Sequence, residues 1–548
     1  MKIYYQGKEV GLPAGVTCVA EMFKENLRIF PKHVIACKCN NEVKSLEYEI
    51  KEGDSVELLD LTSKDGMLVY IRGALFLACM AFNELYPNSQ LSVNFQLTNA
   101  MFCELKNMEL TDEMIDNVRN KMHEYVEKDL HITKKMMTKS EAKEFYDREK
   151  TLRGILQLSN DEKDTVTLYY CQDYYNYFYG VMPISTGFID IFDIEKYKTG
   201  FIVRYPNRKN PEELGEFKES KKFLATLKEY EDINSLMHVQ TIYHINNAIA
   251  KDGGKDLILT SEALIEKKIA EMADKIAKRP GIKMVLIAGP SSSGKTTFAK
   301  RLGIQLKVNG LKPVTIGTDD YFVERPMTPR DENGDYDFET IEALDLELFN
   351  EHLTKLINGE TVQMPTFDFK EGTKKYLGKE LHLADDEILV IEGIHCLNDR
   401  LTESIPAENK FKIYISDLTV LNIDYFNRIS TTDTRLVRRM VRDYNFRGYS
   451  ALDTLKRWPS VNAGENKNIF PYQEEADAMF NSSLVYELPV LAKHALPLLR
   501  EIKDTEKEYS EAKRIISFLE YFNQIEDESP IPNNSLLREF IGGSVFGY

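Results

Sequence analysis

The sequence is short of cysteine pairs, of long uninterrupted apolar runs and of positive charge, and each shortage excludes a class of protein. Its seven cysteines, Cys18, Cys37, Cys39, Cys79, Cys103, Cys171 and Cys396, are an odd, scattered set without a Cys-x-x-Cys pair. That excludes a disulfide framework and a zinc ribbon and fits reduced thiols in the cytoplasm. The longest apolar run, Ala74 to Phe82, is far short of the ~20 residues of a bilayer span. The opening Met-Lys-Ile-Tyr-Tyr-Gln-Gly-Lys has no apolar signal core, so no membrane partner is expected. Lys and Arg number 70 against 87 Asp and Glu, a formal net charge of −17. Such a surface is poorly matched to non-specific nucleic-acid binding. RNA would need a local basic groove, and any anionic ligand a concentrated site.

What is present is ordinary globular composition, 43% apolar and 29% charged, in 548 residues, room for about three or four domains. Residues 1–62 alternate β-rich runs with turn signals (Lys2 to Tyr5, Val34 to Lys38, Leu46 to Ile50, Ser55 to Leu59) around a helical segment from Val19 to Leu27, predicting a small sheet on one helix. Residues 63–205 mix helices (Ala74 to Leu85, Asp112 to Glu127) with strands (Thr165 to Tyr170, Gly200 to Tyr205). The tyrosines between Tyr169 and Tyr179 have no interleaved Lys or Arg, so a packed aromatic core is expected rather than a base-stacking surface. Residues 206–280 read as a helical connector, including Ser261 to Lys278 with Thr260 or Ser261 as N-cap. Residues 501–548 read as a C-terminal helix and tail, in which Leu536 to Ile541 either docks on a neighbour or completes a core.

The chemistry gathers in residues 281–500. Strand Lys283 to Ala288, helix Lys295 to Val308 and strand Val314 to Gly317 make a βαβ unit, hence a parallel sheet with its ligand edge at the strand C-termini. At the strand-to-helix junction, Gly289-Pro290-Ser291-Ser292-Ser293-Gly294-Lys295-Thr296-Thr297 fits G-x-x-x-x-G-K-[ST]. Glycines let such a loop curl until its N–H groups face phosphate oxygens, and the helix N-terminus adds partial positive charge. Lys295 is then placed for the β and γ phosphates of ATP, and the Thr296 hydroxyl for Mg²⁺. The apolar run Glu387 to Ile391 ends in Glu392 before Gly393, a second acidic anchor for the cation. Asp319, in Thr318-Asp319-Asp320-Tyr321-Phe322, should emerge on the same rim, where a carboxylate can orient an acceptor hydroxyl and take its proton. The alternative is that Asp319 or Asp320 caps a helix. Arg435, Arg438, Arg439 and Arg442 share one helix face, with Arg447 following before Gly448. These five guanidiniums either clamp phosphates as a lid or form a solvated face paired with Asp433 and Asp443.

With these motifs in order, the region from about 281 to 500 resembles the uridine kinase and phosphoribulokinase family of P-loop kinases. The further matching stretches are Tyr336-Asp337-Phe338-Glu339 to Ala343-Leu344-Asp345, Pro365-Thr366-Phe367-Asp368-Phe369, Ile391-Glu392-Gly393 and Thr434 to Asp443. The resemblance implies an ATP- and Mg²⁺-dependent kinase. In it Asp319 is the base for a ribose 5′ hydroxyl, Lys295 and Arg442 act on the transferring phosphoryl group, and Thr296 and Glu392 serve the metal. Gly289, Ser291, Ser292, Ser293, Gly294, Lys295, Thr296, Thr297, Arg442 and Arg447 would contact ATP. Phe322, Glu339, Phe367, Arg439 and Tyr449 would line the acceptor site, with Glu339 and Arg439 on the ribose hydroxyls. Glu339 stands where the family usually has Asp. Where uridine kinases read the base with His, Arg and Gln, this chain has Gly372, Tyr449 and Arg457, and loss of such donors and acceptors usually costs orders of magnitude in discrimination. A nucleoside is the expected acceptor; another sugar or polyol is the alternative.

Residues 1–62 resemble a TGS domain, a β-grasp module, in Val34 to Glu42 and Glu52 to Glu57. Residues 63–205 resemble the adjoining editing-type domain of threonyl-tRNA synthetases, most clearly at Ser185-Thr186-Gly187-Phe188-Ile189. That family's His-x-x-x-His and later Cys and His are Ile71, Leu75, Phe178 and Met182 here, none able to take polar or metal-ligand roles; a degenerate scaffold for binding or assembly is expected. The predicted fold class is α/β: a P-loop kinase domain with a parallel sheet and helices on both faces, preceded by a β-grasp domain and an α+β editing-like domain. An RNA-linked regulator with a nucleotide-sensing P-loop is the rival reading, and the sequence is silent on whether copies of the chain form a homo-oligomer.

Overall fold

The computed structural model describes residues 2–547 apart from 26, 29–32, 150, 155–163, 331–333, 335, 369–370 and 385; Phe369 of the Pro365 motif therefore lies outside the described residues. Strands β1 (Lys2–Tyr5), β2 (Lys8–Gly11), β3 (Val34–Cys39), β4 (Glu42–Lys44) and β5 (Ser55–Asp60) form a sheet in the order β2-β1-β5-β3-β4, and Val19 of the short helix α1 (Val19–Met22) joins its core. Only β1 and β5 pair in parallel. Leu46 to Ile50 is not a strand. The Leu46 and Tyr48 carbonyls accept from the Ala20 and Val19 N–H groups, satisfying the start of α1, whose N-cap Cys18 provides no side-chain bond. The helix stops well before Leu27, because Phe23 leaves helical geometry and packs on Tyr5 with ring centroids 4.7 Å apart.

The next unit comprises α2 (Lys64–Leu85), β6 (Leu91–Leu97), β7 (Ala100–Leu105), α3 (Asp112–Lys128), β8 (Thr133–Thr138), α4 (Lys139–Tyr146), β9 (Thr165–Cys171), β10 (Tyr174–Asn176), β11 (Asp193–Tyr197) and β12 (Gly200–Arg204). Its antiparallel sheets run β11-β12-β7-β6 and β10-β9-β8. Helix α2 begins at Lys64, not Ala74, because Ser63 caps it by accepting from the Gly66 N–H. By length and composition it is apolar enough to cross a membrane, yet 78% of its most apolar stretch is buried; it serves here as the core helix joining this unit to the first sheet. Tyr169, Tyr174 and Tyr177 of the expected aromatic core are buried, Tyr170, Tyr175 and Tyr179 are half-buried, and Arg153, distant in sequence, stacks over Tyr174 and Tyr175.

Helices α5 (Lys221–Leu236), α6 (Ile242–Asp252) and α7 (Lys255–Lys278) follow. Helix α7 starts after Gly254, at φ 82°, so Ser261 lies buried inside it instead of capping it. The last region contains β13 (Met284–Ala288), α8 (Lys295–Val308), β14 (Lys312–Gly317), α9 (Leu346–Ile357), the short pairs β15 (Val362–Gln363) with β18 (Glu380–Leu381) and β16 (Thr366–Asp368) with β17 (Thr373–Lys375), then β19 (Glu387–Glu392), β20 (Lys410–Ser416), α10 (Thr431–Arg447), α11 (Ala451–Asn468), β21 (Ala478–Asn481), α12 (Glu487–Arg500), α13 (Tyr509–Leu519) and α14 (Arg538–Ile541). Its five-stranded sheet, β14-β19-β13-β20-β21, is wholly parallel. Strand residues alternate between two cores, as the two-residue strand period demands. Val285, Ile287, Val390 and Ile413 face α7, α8, α10 and α12, while Met284, Leu286, Leu389 and Ile391 face α9.

Two segments tie this region to the rest. The stretch from Asp417 to Ser430 enters the front half: the Val93 N–H donates to the Tyr425 carbonyl (2.8 Å), the Tyr179 N–H to Asn427 Oδ1 (2.7 Å), and Phe426 joins the front core. The tail returns to the kinase-like region, where Leu536, Leu537 and Phe540 are fully buried, so it completes a core of its own chain.

Candidate active site

Register decides where the site residues meet. Ile287 near the end of β13 and Gly317 at the end of β14 both lie level with Glu392 of β19. The loop after β13, the Asp319 turn after β14 and the Glu392 carboxylate therefore share one rim of the sheet.

The loop from Gly289 to Thr297 wraps that rim tightly. A Cβ at Gly289 would fall 1.9 Å from the Ile415 carbonyl oxygen, and Ser292 (φ 60°) and Gly294 (φ 80°) adopt the left-handed geometry that turns successive N–H groups inward. Lys295 Nζ donates to the Gly289 and Pro290 carbonyls at 2.8 and 3.0 Å. The hydroxyls of Ser292 and Ser293 are buried and, among the described residues, make no hydrogen bond. Orphaned donors inside a curled loop at the start of a 14-residue helix suit a phosphate.

Thr296 Oγ1 donates to Glu392 Oε2 at 3.2 Å, leaving two hard oxygen ligands side by side. This suits Mg²⁺, which takes one or two protein ligands and completes its shell with water and phosphate. Gly393 is required there, since a Cβ would meet Thr318 Oγ1 at 2.1 Å. Burial lifts the Glu392 carboxyl above its ordinary range against the pull of Lys295, and burial lowers Lys295 itself. Asp319 keeps solvent access within the cleft, but the protein crowding it raises its carboxyl; Lys295 and Arg447 oppose that rise and Asp320 adds to it. Glu339 is likewise raised by burial and by Glu465, with Arg439 and Lys295 opposing.

The arginine face divides, correcting the picture of five equivalent clamps. Arg435 is buried in a bidentate pair with Glu465 (2.6 and 2.9 Å) and donates to the Ser291 carbonyl. Arg438 is buried against Glu487 and Asp417 and donates to the Ser292 carbonyl. Both fasten α10 to the loop. Arg439 reaches the site, donating to Ser291 Oγ at 2.7 Å. Arg442 and Arg447 share Asp443, and burial lowers Arg442 to about 10.

On the acceptor side, Phe322 and Phe367 pack with centroids 5.6 Å apart and are largely buried, forming a wall. Tyr449 lies beneath Arg457, whose guanidinium carbon is 3.8 Å from the ring centroid. Gly372 has φ 73°, and a Cβ there would meet Arg325 side-chain atoms at 2.7 Å. Arg325 thus fills the space beside the missing His. Sequence reasoning missed Arg325, Glu465 and Glu539. The last reaches the loop from the tail: Thr297 donates to Glu539 Oε2 from its N–H (3.2 Å) and its hydroxyl (2.7 Å). None sits in a motif; Glu465 had a signal only in the excess of arginine on α10.

Comparison with known proteins bears on this region. The sequence pattern of the phosphoribulokinase / uridine kinase family matches residues 284–487. Uridine kinase of Ureaplasma parvum serovar 3 is 28% identical over 178 residues, 32% of this chain and 77% of that protein. Uridine kinase of Bacillus subtilis is 26% identical over 192 residues, 35% of this chain and 82% of that one. A structure described as a possible uridine kinase from Bacillus stearothermophilus aligns with 39% of this chain and 98% of its own, at 20% identity and a TM-score of 0.27. Residues 284–487 are a phosphoribulokinase/uridine kinase family domain with the P-loop kinase fold, its parallel sheet flanked by helices.

Proposed function

We propose that this protein is an ATP- and Mg²⁺-dependent kinase that transfers the γ-phosphoryl group to a hydroxyl of a small ribose-containing acceptor, a nucleoside 5′ hydroxyl. The observation that carries this reading is the shared rim, where Lys295, the Thr296 and Glu392 pair and Asp319 come from three register-aligned strand ends. Thr296 and Glu392 would hold Mg²⁺, which supplies neutralisation of phosphate charge when bound. Lys295, Arg439, Arg442 and Arg447 supply fixed positive charge around the loop, favouring the more highly charged transition state. Asp319 takes the acceptor's proton, Glu339 and Arg439 hold ribose hydroxyls, and Phe322 and Phe367 wall the pocket against water. The relatives named uridine kinase support a nucleoside acceptor.

The Arg325 side chain beside Gly372 and the Arg457–Tyr449 stack favour a second acceptor class, a sugar or polyol without a pyrimidine edge. ADP release measured across nucleosides, free sugars and polyols separates the two; no turnover of any nucleoside refutes the first. We assign residues 1–205, read as TGS-like and editing-like, a binding or assembly role, and place the protein in the cytoplasm, in keeping with seven free cysteines.

A further inference from the structure

A cavity of about 140 Å³ lies between the front half and the kinase domain, with no residue of the 289–297 loop in its lining. Its front wall contains Ile71, Leu75 and Phe178, three of the four positions at which the editing-type signature is lost; its back wall is the Asp417–Ser430 segment and the first turn of α10. Three arginines also line it: Arg72, Arg428 and Arg514. Arg514 is neutralised by Asp433 and Glu511. The other two are not. Among the described residues Arg72 donates only from Nε, to the Val181 carbonyl at 2.8 Å, and it passes close over Gly180, where a Cβ would meet its guanidinium at 3.0 Å. The Arg428 side chain makes no hydrogen bond or ion pair among the described residues, and its Nε is buried without a partner. Burial pulls both guanidiniums down to about 10, with Tyr169 and Asp65 opposing it at Arg72 and Tyr205 and Asp433 opposing it at Arg428.

Unpaired charge inside a protein is costly, and Arg514 repels Arg72 as well. Ser430, the N-cap of the 17-residue α10, lines the same space and brings the positive end of a helix to it. The lining thus carries three arginines against one aspartate, Asp433, between apolar walls that include Ile423, Phe426 and Phe518. A cavity of about 150 Å³ accommodates a benzene ring.

We propose that this cavity is a binding site for a small organic anion, a carboxylate or phosphate monoester bearing a compact apolar group, with Arg72 and Arg428 as its counter-charges. The anionic head lies between the two guanidiniums near the start of α10, and the apolar part lies against Leu75, Phe178 and Phe426. Asp433 and Arg442 are nine residues apart on α10, about 14 Å at 1.5 Å per residue. The ligand is therefore not the phosphoryl acceptor but an effector sensed at the base of the helix that carries the active-site arginines. The inference stands on the cavity alone and does not depend on the kinase reading.

Isothermal titration of the full chain with phenyl phosphate, benzoate and inorganic phosphate tests it, because the P-loop competes for such anions and must be silenced separately. Phenyl phosphate or benzoate is expected to bind the wild type and Lys295→Ala alike, and about tenfold or more weakly to Arg72→Met and Arg428→Met. The two aromatic probes distinguish a phosphate from a carboxylate ligand. Should the arginine variants fold poorly, Leu75→Trp, which fills the cavity from its apolar wall, must give the same loss. Binding abolished by Lys295→Ala but kept in the arginine variants, inorganic phosphate binding to Lys295→Ala as well as phenyl phosphate does, or no binding of any probe each overturns the proposal.

Discussion

Glu539 sits where an incoming nucleotide would feel it most, and Glu539→Gln removes the charge while keeping an acceptor for Thr297. Its Oε2 lies 2.7 Å from Thr297 Oγ1 and 3.2 Å from the Thr297 N–H, so it occupies donors of the first turn of α8 that otherwise face phosphate. A phosphate arriving beside it would place like charges about 6 Å apart; at an effective dielectric of about 20 that repulsion is about 2.8 kcal/mol per pair of unit charges. The side chain can swing away, and Lys295 and Arg442 share its field, so roughly half should reach the binding equilibrium. About 1.4 kcal/mol is a tenfold gain in ADP affinity for Glu539→Gln, read by calorimetry at low ionic strength and shrinking as salt screens the charge. Equal or weaker binding by the variant refutes the reasoning and makes Glu539 a brace of the loop instead of a competitor.

Asp319→Asn should cut kcat by about 10²–10⁴ with ADP affinity unchanged, and near-normal turnover refutes the base assignment; because burial raises Asp319, the acid limb of the wild-type pH–rate profile should lie above the ordinary carboxylate range. Asp424, buried and raised to about 6, keeps a proton that the unfolded chain loses near pH 3.9. Its contribution to stability therefore grows as pH falls from about 6 to 4. Asp424→Asn should abolish up to about 3 kcal/mol of that slope, the equivalent of about two pKa units, in urea titrations at pH 7 and 4.5; parallel slopes in the two proteins count against it. Glu465→Gln strands the buried Arg435 and should cost about 3–5 kcal/mol, visible as a lowered thermal midpoint; a loss below about 1 kcal/mol would mean that water reaches the pair.

The P-loop region was legible because its elements obey local rules. The helix Lys295–Val308 and the strand Glu387–Glu392 fall where glycine, charge and apolar runs mark them, and parallel register then brings Asp319 and Glu392 to one rim. What escaped the sequence was decided by distant partners. Periodicity puts Arg435 and Arg438 on the same face as Arg439 and Arg442, but whether that face meets solvent or protein depends on Glu465 and Glu487, 30 and 49 residues further on. Leu46 to Ile50 has strand composition and lost the ladder because its carbonyls serve α1. The helix from Lys64 was read short because Arg72 and Gly73 interrupt its apolar run, and Arg72 lines an internal cavity and bonds the Val181 carbonyl.

The divided arginine face also limits how the site can close. Arg435 and Arg438, each fully buried and bonded to loop carbonyls and to carboxylates of α11 and α12, fix the first half of α10 to the P-loop; swinging that half as a lid would bare two buried ion pairs at once. Beyond Asp443 the helix is more exposed. Tyr444 and Phe446 are 54% and 56% exposed, Arg447 is half-exposed, and Gly448 at φ 70° ends the helix. If the site closes over a bound nucleotide, the part free to move is the last turn of α10 and the Gly448–Tyr449 corner, with Arg447 and the Arg457–Tyr449 stack. The tail meets α10 at this same turn, where Asn445 Nδ2 donates to the Phe540 carbonyl at 3.1 Å, one residue from Glu539. A displacement of this corner would therefore pull on the residue next to Glu539, and the Glu539 contact with Thr297 would be the first to feel it.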